Sequence, residues 1–264
     1  MKYSQKNKRR CTVKQGKKIK KFVKERYRKI ASKGNSCCSS SACNLDLAEQ
    51  AKSMGYTEQE ISSVSGEVVM GLGCGNPTAL AELKEGETVL DLGSGGGLDV
   101  FLAAKKVGEK GRVIGVDMTP EMVEKAEAIG RRGNYKNVEF KVGEIENLPI
   151  EDNSIDVIIS NCVINLTPDK LATFKETFRV LKPNGRILIS DLVTKGKIPE
   201  DVRESFDAWA GCIAGAMEKQ EYLNTITKAG FRDVAVIAEH TYSEPKTDDR
   251  LAGKIISVQV KAYK

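Results

Sequence analysis

Residues 88–117, TVLDLGSGGGLDVFLAAKKVGEKGRVIGVD, leave this chain few folds to choose from. An apolar run through Val89 and Leu90 leads into Asp91 and then Gly93, Gly95 and Gly97, and an apolar helix pattern follows. A second apolar run, Val113-Ile114-Gly115-Val116, ends in Asp117. A strand, a glycine turn, a helix and a second strand closing on a carboxylate are the start of a parallel α/β sheet. The glycines let the backbone turn sharply and approach a ligand, and an acid at the tip of the second strand can bond ribose hydroxyls. The dinucleotide fingerprint Gly-x-Gly-x-x-Gly/Ala is not met, because its last position is Leu98 counted from Gly93 and Val100 counted from Gly95. A Gly-x-x-x-x-Gly-Lys-Ser/Thr phosphate loop is also missing.

From Glu87 onward the apolar periods alternate. They predict strands near residues 87–92, 112–117, 137–142, 155–160 and 186–192, with helices between them. Thr119 is set to cap a helix with Pro120 at its first position, and Leu171, Phe174, Phe178 and Leu181 form one apolar stripe. Alternation of this kind builds a mostly parallel sheet with helices on both faces. Beyond Lys195, helices are predicted near 200–210 and 219–229, the second stopped by Gly230. Two strands, near 232–240 and 253–262, close the chain. In the last, Ile256, Val258, Val260 and Ala262 alternate with polar residues, the pattern of a half-exposed antiparallel edge strand.

The N-terminal region differs in charge. The whole chain carries +6, but residues 1–30 hold 14 Lys or Arg against one acid, Glu25, so that stretch carries +13 and the remainder −7. A basic arm suits nucleic acid or acidic lipid. This one lacks the interleaved aromatics that stack bases, whereas Ile19, Phe22, Val23, Tyr27 and Ile30 recur at helical spacing. An amphipathic helix from about Lys17 is expected behind a disordered tail, with neither nucleic acid nor membrane as partner. A small-residue loop with Cys37, Cys38 and Cys43 follows, then a helix near 46–54 and a capping box formed by Thr57 and Glu60. The expected division is a basic tail over 1–16, a helical and cysteine-loop extension over 17–86, a ligand-binding domain over 87–195 and a substrate region over 196–264.

At 264 residues, the chain can bury a core without disulfide staples. No apolar run approaches the roughly 18 residues of a membrane span, and the basic N-terminus has no signal-type stretch. A cytoplasmic monomer is expected, and its seven cysteines then point to soft-ligand or redox chemistry rather than bridges.

Residues 91–97, Asp-Leu-Gly-Ser-Gly-Gly-Gly, resemble the first motif of the class I S-adenosylmethionine (SAM) methyltransferases. The resemblance implies a Rossmann-like sheet with SAM outside the carboxyl ends of its strands. Four segments arrive there: the glycine turn from Asp91, Asp117-Met118, the stretch Gly143–Pro149, and Ser160-Asn161-Cys162-Val163. Asp117 is expected to hold the ribose and Met118 to pack on the adenine, while Glu144 or the Ile145 amide reads the adenine edge. Asn161 completes the expected cofactor set.

Cys162 ends the fourth strand, where a methyl acceptor must lie. A lone cysteine there is usually a small buried hydrophobe. Cys74 in Gly-Leu-Gly-Cys-Gly-Asn-Pro and Cys212 in Gly-Cys-Ile-Ala-Gly-Ala also sit in small-residue contexts where backbones approach closely, so three thiols from three segments can converge on one soft centre. These contexts, with Ser-Asn-Cys-Val-Ile-Asn-Leu and the SAM motif, resemble the arsenite methyltransferase family from about Val23 to about Val236. The resemblance implies methyl transfer from SAM to trivalent arsenic, serving arsenic detoxification. It makes Cys74, Cys162 and Cys212 the arsenic-binding thiols, with arsenite and methylarsenite as substrates. Cys38, in a region where Cys37 and Cys43 compete for the same role, is expected to relay electrons by a disulfide with Cys74, reset by a glutathione-type thiol or thioredoxin. Leu72 stands where some family members carry tyrosine.

Arsenic(III) on three thiolates is a neutral pyramid whose lone pair needs no general base to attack a methyl group. His240, the one histidine, is accordingly expected to have no catalytic role. Two rivals remain at this stage. One is a SAM methyltransferase acting on a small organic metabolite, with the cysteines as core. The other is a metalloid-sequestering thiol protein, or a zinc protein using Cys37, Cys38, Cys43 and Cys74, whose adjacent cysteines fit zinc spacing poorly.

Overall fold

The computed structural model describes residues 13–33, 47–242 and 249–264. In chain order the helices are α1 (Val13–Lys33), α2 (Leu47–Ser53), α3 (Glu58–Ser63), α4 (Pro77–Leu80), α5 (Leu98–Val107), α6 (Pro120–Arg132), α7 (Lys170–Val180), α8 (Glu200–Glu204), α9 (Phe206–Ala210) and α10 (Lys219–Lys228). The strands are β1 (Thr88–Leu92), β2 (Arg112–Asp117), β3 (Val138–Val142), β4 (Ile155–Asn161), β5 (Leu181–Thr194), β6 (Arg232–Thr241) and β7 (Ile255–Tyr263). They form one sheet in the order β3-β2-β1-β4-β5-β7-β6.

The first five strands are parallel, and β7 runs antiparallel to both β5 and β6. Successive residues of a strand face opposite sides. Thus Leu90 and Leu92 pack with Phe174, Tyr222 and Ile226 on one face, while Val89 packs with Val100, Phe101 and Val123 on the other. From β1 the chain proceeds to β2 and β3 on one side, then returns to β4 on the other. That reversal opens a crevice outside the carboxyl ends of β1 and β4, where ligands of such sheets bind.

Local signals explain most boundaries. Thr57 and Glu60 form the reciprocal capping box at α3. Pro120 opens α6 behind Thr119, but the Thr119 hydroxyl makes no capping bond. Instead the Asp117 carboxylate accepts the Thr119 N–H at 2.8 Å. The stretch predicted as one helix over 200–210 is two. Ser205 is extended, and its hydroxyl accepts the Ala208 N–H to start α9 afresh.

Two further expectations are corrected. Helix α1 begins at Val13 rather than Lys17, so the tail expected over 1–16 already contains helix; Gly16 lies against Pro168. The edge strand is β6, whose residues alternate between half-buried and exposed. The last strand, β7, is inserted between β5 and β6 and is buried along almost its whole length. Its polar residues Ser257 and Gln259 face buried protein instead of water, so the alternation predicted the right period with the wrong neighbour.

Helix α1 crosses the carboxyl ends of the strands and buries Ile19 and Val23. Lys20 pairs with Glu144 and Glu146, and Arg26 with Asp207. One helix thereby ties the loop after β3 to α9. Among the described residues no helix is long and apolar enough to cross a membrane.

Candidate active site

A cavity of about 370 Å³ opens at the crevice. Its walls include Asp91, Gly93, Gly95, Asp117, Met118, Glu144, Ile145, Asn161, Cys162 and Cys212. The glycine turn and Asp117 are built as one unit. Gly95, at φ +50°, donates its N–H to one Asp117 oxygen at 2.9 Å, while Thr119 donates to the other. Each oxygen keeps a lone pair for a further donor, so the carboxylate is aimed before any ligand arrives. Nothing stands within 4 Å of where a Gly95 side chain would begin, which leaves backbone open to close approach.

The three expected thiols meet at one end of this cavity. Cys74, Cys162 and Cys212 are free, buried and packed in a single apolar cluster with Leu166, Leu192 and Ile198. Cys162 lies between the other two: hydrogen bonding to the Cys212 and Cys74 thiols, with burial added, holds its thiol well above the ordinary range. Burial also pushes the Cys74 thiol up. Cys162 and Cys74 are therefore protonated at neutral pH, which keeps net charge out of this buried cluster. The Cys212 sulfur donates to the Cys162 carbonyl at 2.7 Å, and among the described residues no three His, Cys, Asp or Glu side chains stand ready to cage a metal ion.

Two of these cysteines carry backbone strain. Cys162 has φ +60° and Cys212 φ +63°, in the left-handed region that residues with a Cβ avoid. Each conformation turns the chain sharply, from β4 into the 3₁₀ turn Ile164–Leu166 and out of α9, so that the side chain faces the cavity. A glycine at 212 should therefore fold more stably than an alanine. The left-handed relief of about 1–2 kcal/mol, less the extra chain entropy of glycine, leaves roughly 0.5–1 kcal/mol in favour of Cys212→Gly. Urea midpoints of Cys212→Gly and Cys212→Ala would show it, and a lower midpoint for glycine would contradict the strain.

The pattern that defines the family described as "Methyltransferase domain" matches residues 83–230. The chain is 43% identical over 257 residues to the arsenite methyltransferase of Halobacterium salinarum, covering 92% of this chain and 66% of that one. It is 38% identical over 186 residues to the human arsenite methyltransferase, covering 67% of this chain and 49% of that one. It thus spans about two thirds or less of these curated relatives. Among solved structures it is similar to CrArsM, an arsenic(III) S-adenosylmethionine methyltransferase from Chlamydomonas reinhardtii. The TM-score is 0.66 and the identity 34%, over 81% of this chain and 73% of that one. The chain belongs to the arsenite methyltransferase family. Its seven-stranded sheet is accordingly that of a class I SAM methyltransferase.

For this arsenite methyltransferase family member the structure also shows which expected residues stand apart. Gly97 is behind the cavity wall, against Phe101 and Phe140. Cys74 bonds the Cys162 thiol but does not itself line the cavity, whereas the neighbouring Gly73 does. Glu144 is exposed and paired with Lys20, so its carboxylate is already engaged. Cys11, Cys37, Cys38 and Cys43, including the expected redox relay, lie outside the described residues. His240 is exposed on the edge strand β6.

Sequence reasoning missed the buried polar groups that hold the site. Ser257 of β7 donates to the Cys74 carbonyl at 2.6 Å, and Tyr222 donates at 3.1 Å to Asp191, whose carboxyl burial pushes up to about 7. Lys170 is buried over the Trp209 ring, and burial lowers its ammonium to about 8. Tyr56 donates to the Asp99 carboxylate at 2.9 Å. Nothing in spacing marked them, because each partner comes from a remote segment.

Burial moves the Asp99 carboxyl from 3.8 to about 6, despite bonds from Tyr56 and Asn161. A carboxyl that holds its proton more tightly when folded makes the native state bind the extra proton, so stability falls as pH rises through this window. Between about pH 4 and about pH 6, wild type should lose on the order of 2 kcal/mol relative to Asp99→Asn. Urea unfolding of both proteins across that range tests it. Parallel curves would mean that Asp99 titrates alike in the folded and unfolded chains.

Proposed function

We propose that this protein transfers methyl groups from SAM to trivalent arsenic held by Cys162, Cys212 and Cys74. The observation that carries the reading is the meeting of three free, buried cysteines from three remote segments beside a cavity walled by the glycine turn and Asp117. A methyltransferase of an organic metabolite has no need of that convergence.

The residues fit SAM. Asp117, aimed by the Gly95 and Thr119 amides, suits the ribose diol, and the apolar Met118 suits the adenine face. Asp91, on the cavity wall, offers its carboxyl group to the α-ammonium. When bound, SAM supplies an electrophilic methyl carbon, matched to the lone pair of arsenic. The protein's part is to present that lone pair. Each Cys S–H exchanges with an As–OH, forming an S–As bond and releasing water, and Cys212 must turn away from the Cys162 carbonyl to join. Leu166, Leu192 and Ile198 keep the sulfurs dry, which protects As–S bonds from hydrolysis. Positioning of this sort is worth up to about 7–11 kcal/mol in favourable intramolecular cases.

Methylation through a lone pair formally oxidises arsenic by two electrons. Two thiols that close to a disulfide return them, and small thiols or thioredoxin would then reset the protein. Cys38 is the favoured partner of Cys74 in that step. Free cysteines suit a reducing compartment, the cytoplasm.

The test is an assay of purified protein with SAM, arsenite and excess thiol that reads methylated arsenic and S-adenosylhomocysteine together. Both should appear in step. SAM binding without either product would return the cysteines to the core and favour the organic-metabolite reading.

A further inference from the structure

Asn161 ends β4 and lies at the cavity edge, half-buried. Its amide oxygen accepts the Cys74 N–H at 2.9 Å. Its amide nitrogen donates to the Gly75 carbonyl at 2.6 Å and to the Tyr56 hydroxyl at 3.0 Å. That hydroxyl in turn donates a hydrogen bond to the Asp99 carboxylate, which also lies 3.4 Å from the Asn161 nitrogen. Both amide protons and one oxygen lone pair are thus committed within the protein, which leaves little for a ligand. Gly73 completes the fit, since a Cβ there would meet the Asn161 amide at 2.9 Å.

The next residue in the chain is Cys162. One residue therefore carries Cys162 on its backbone and grips the Cys74 loop with its side chain. Tyr56, 3% exposed and off the cavity wall, and Asp99 from the start of α5 fix the orientation of that side chain. We propose that Asn161 is a positioning residue, a strut that sets the spacing of the Cys74 and Cys162 thiols, locked by Tyr56 and Asp99. This rests on the reading of the cysteines as the arsenic site. Buried hydrogen bonds are costly to leave unmade, so the spacing is enforced before arsenic arrives. Without the strut, the third thiol contributes at a lower effective concentration.

A double-mutant cycle on arsenite affinity, read by equilibrium dialysis, tests the strut. Asn161→Leu and Cys74→Ser should each weaken arsenite binding about tenfold, while Asn161→Leu added to Cys74→Ser should weaken it by less than about twofold. SAM affinity, measured on the same proteins, should stay within about twofold of wild type in each. Tyr56→Phe removes only the locking hydroxyl, and should act in the same direction with a smaller loss even where the leucine variant folds poorly. The strut is overturned if Asn161→Leu weakens arsenite binding equally with and without Cys74, or if SAM affinity falls in proportion. Wild-type protein that binds SAM but no arsenite would instead bring down the arsenic site, and the strut with it.

Discussion

Cys162→Ser is expected to leave SAM binding near wild type and to lower arsenic methylation by at least about two orders of magnitude, the scale on which misplacing a reacting group by an ångström acts. Cys162 is the middle thiol of the three, hydrogen-bonded to both others, and it lines the cavity. Serine keeps nearly the same shape but offers a hard oxygen, for which trivalent arsenic has little preference over water. The left-handed backbone at 162 is equally strained with either residue, so the fold should not distinguish them. Parallel measurement of SAM binding and methylarsenic formation decides the matter. Turnover within a few-fold of wild type would remove Cys162 from the chemistry.

Gly215→Ala should cost about 3 kcal/mol or more of folding stability, a fall of roughly 6–12 °C in Tm, and should take arsenite binding with it. A Cβ at 215 would sit 1.9 Å from the Asn165 carbonyl oxygen and 2.7 Å from the Trp209 ring. Neither neighbour can retreat. Asn165 is fully buried, with its amide bonded to the Leu192 carbonyl at 2.5 Å, and the turn it belongs to begins at Cys162, whose N–H is held by Ser190 at 2.8 Å. Trp209 sits under Lys170 and accepts the Cys212 N–H on its carbonyl at 3.0 Å. Overpacking against rigid backbone therefore pushes the Cys212 segment away from the Cys162 turn. A Tm within about 2 °C of wild type would show that the segment gives way freely.

This clash explains part of the motif Gly-Cys-Ile-Ala-Gly-Ala in physical terms. Gly215 lets the Cys212 segment lie against the turn that carries Cys162. The small-residue contexts of Cys74 and Cys212 were thus legible as sites of close backbone approach, although what approaches them was not.

The alternating periods from Glu87 and the glycine turn closing on Asp117 were enough to specify a parallel sheet, its ligand end and a nucleoside site. Both are local facts. A strand or helix declares itself by which neighbours in the chain are apolar, and a turn by where it lacks side chains. The C-terminal strand shows the limit: alternation fixed that β7 is a strand, but whether its polar face met water or the Cys74 loop depended on where β6 docked. The same limit hid Tyr56, Asp99 and Ser257, and the bonds by which the Asn161 amide grips the Cys74 loop. Hydrogen bonds between segments 43 or more residues apart leave no periodic trace. The sequence by itself determined the sheet, the glycine turn closing on Asp117 and three candidate thiols, Cys74, Cys162 and Cys212. Only the tertiary structure decided that those thiols meet, that two of them sit on strained backbone, and which buried polar groups surround them, because each depends on distances between parts of the chain that are remote in sequence.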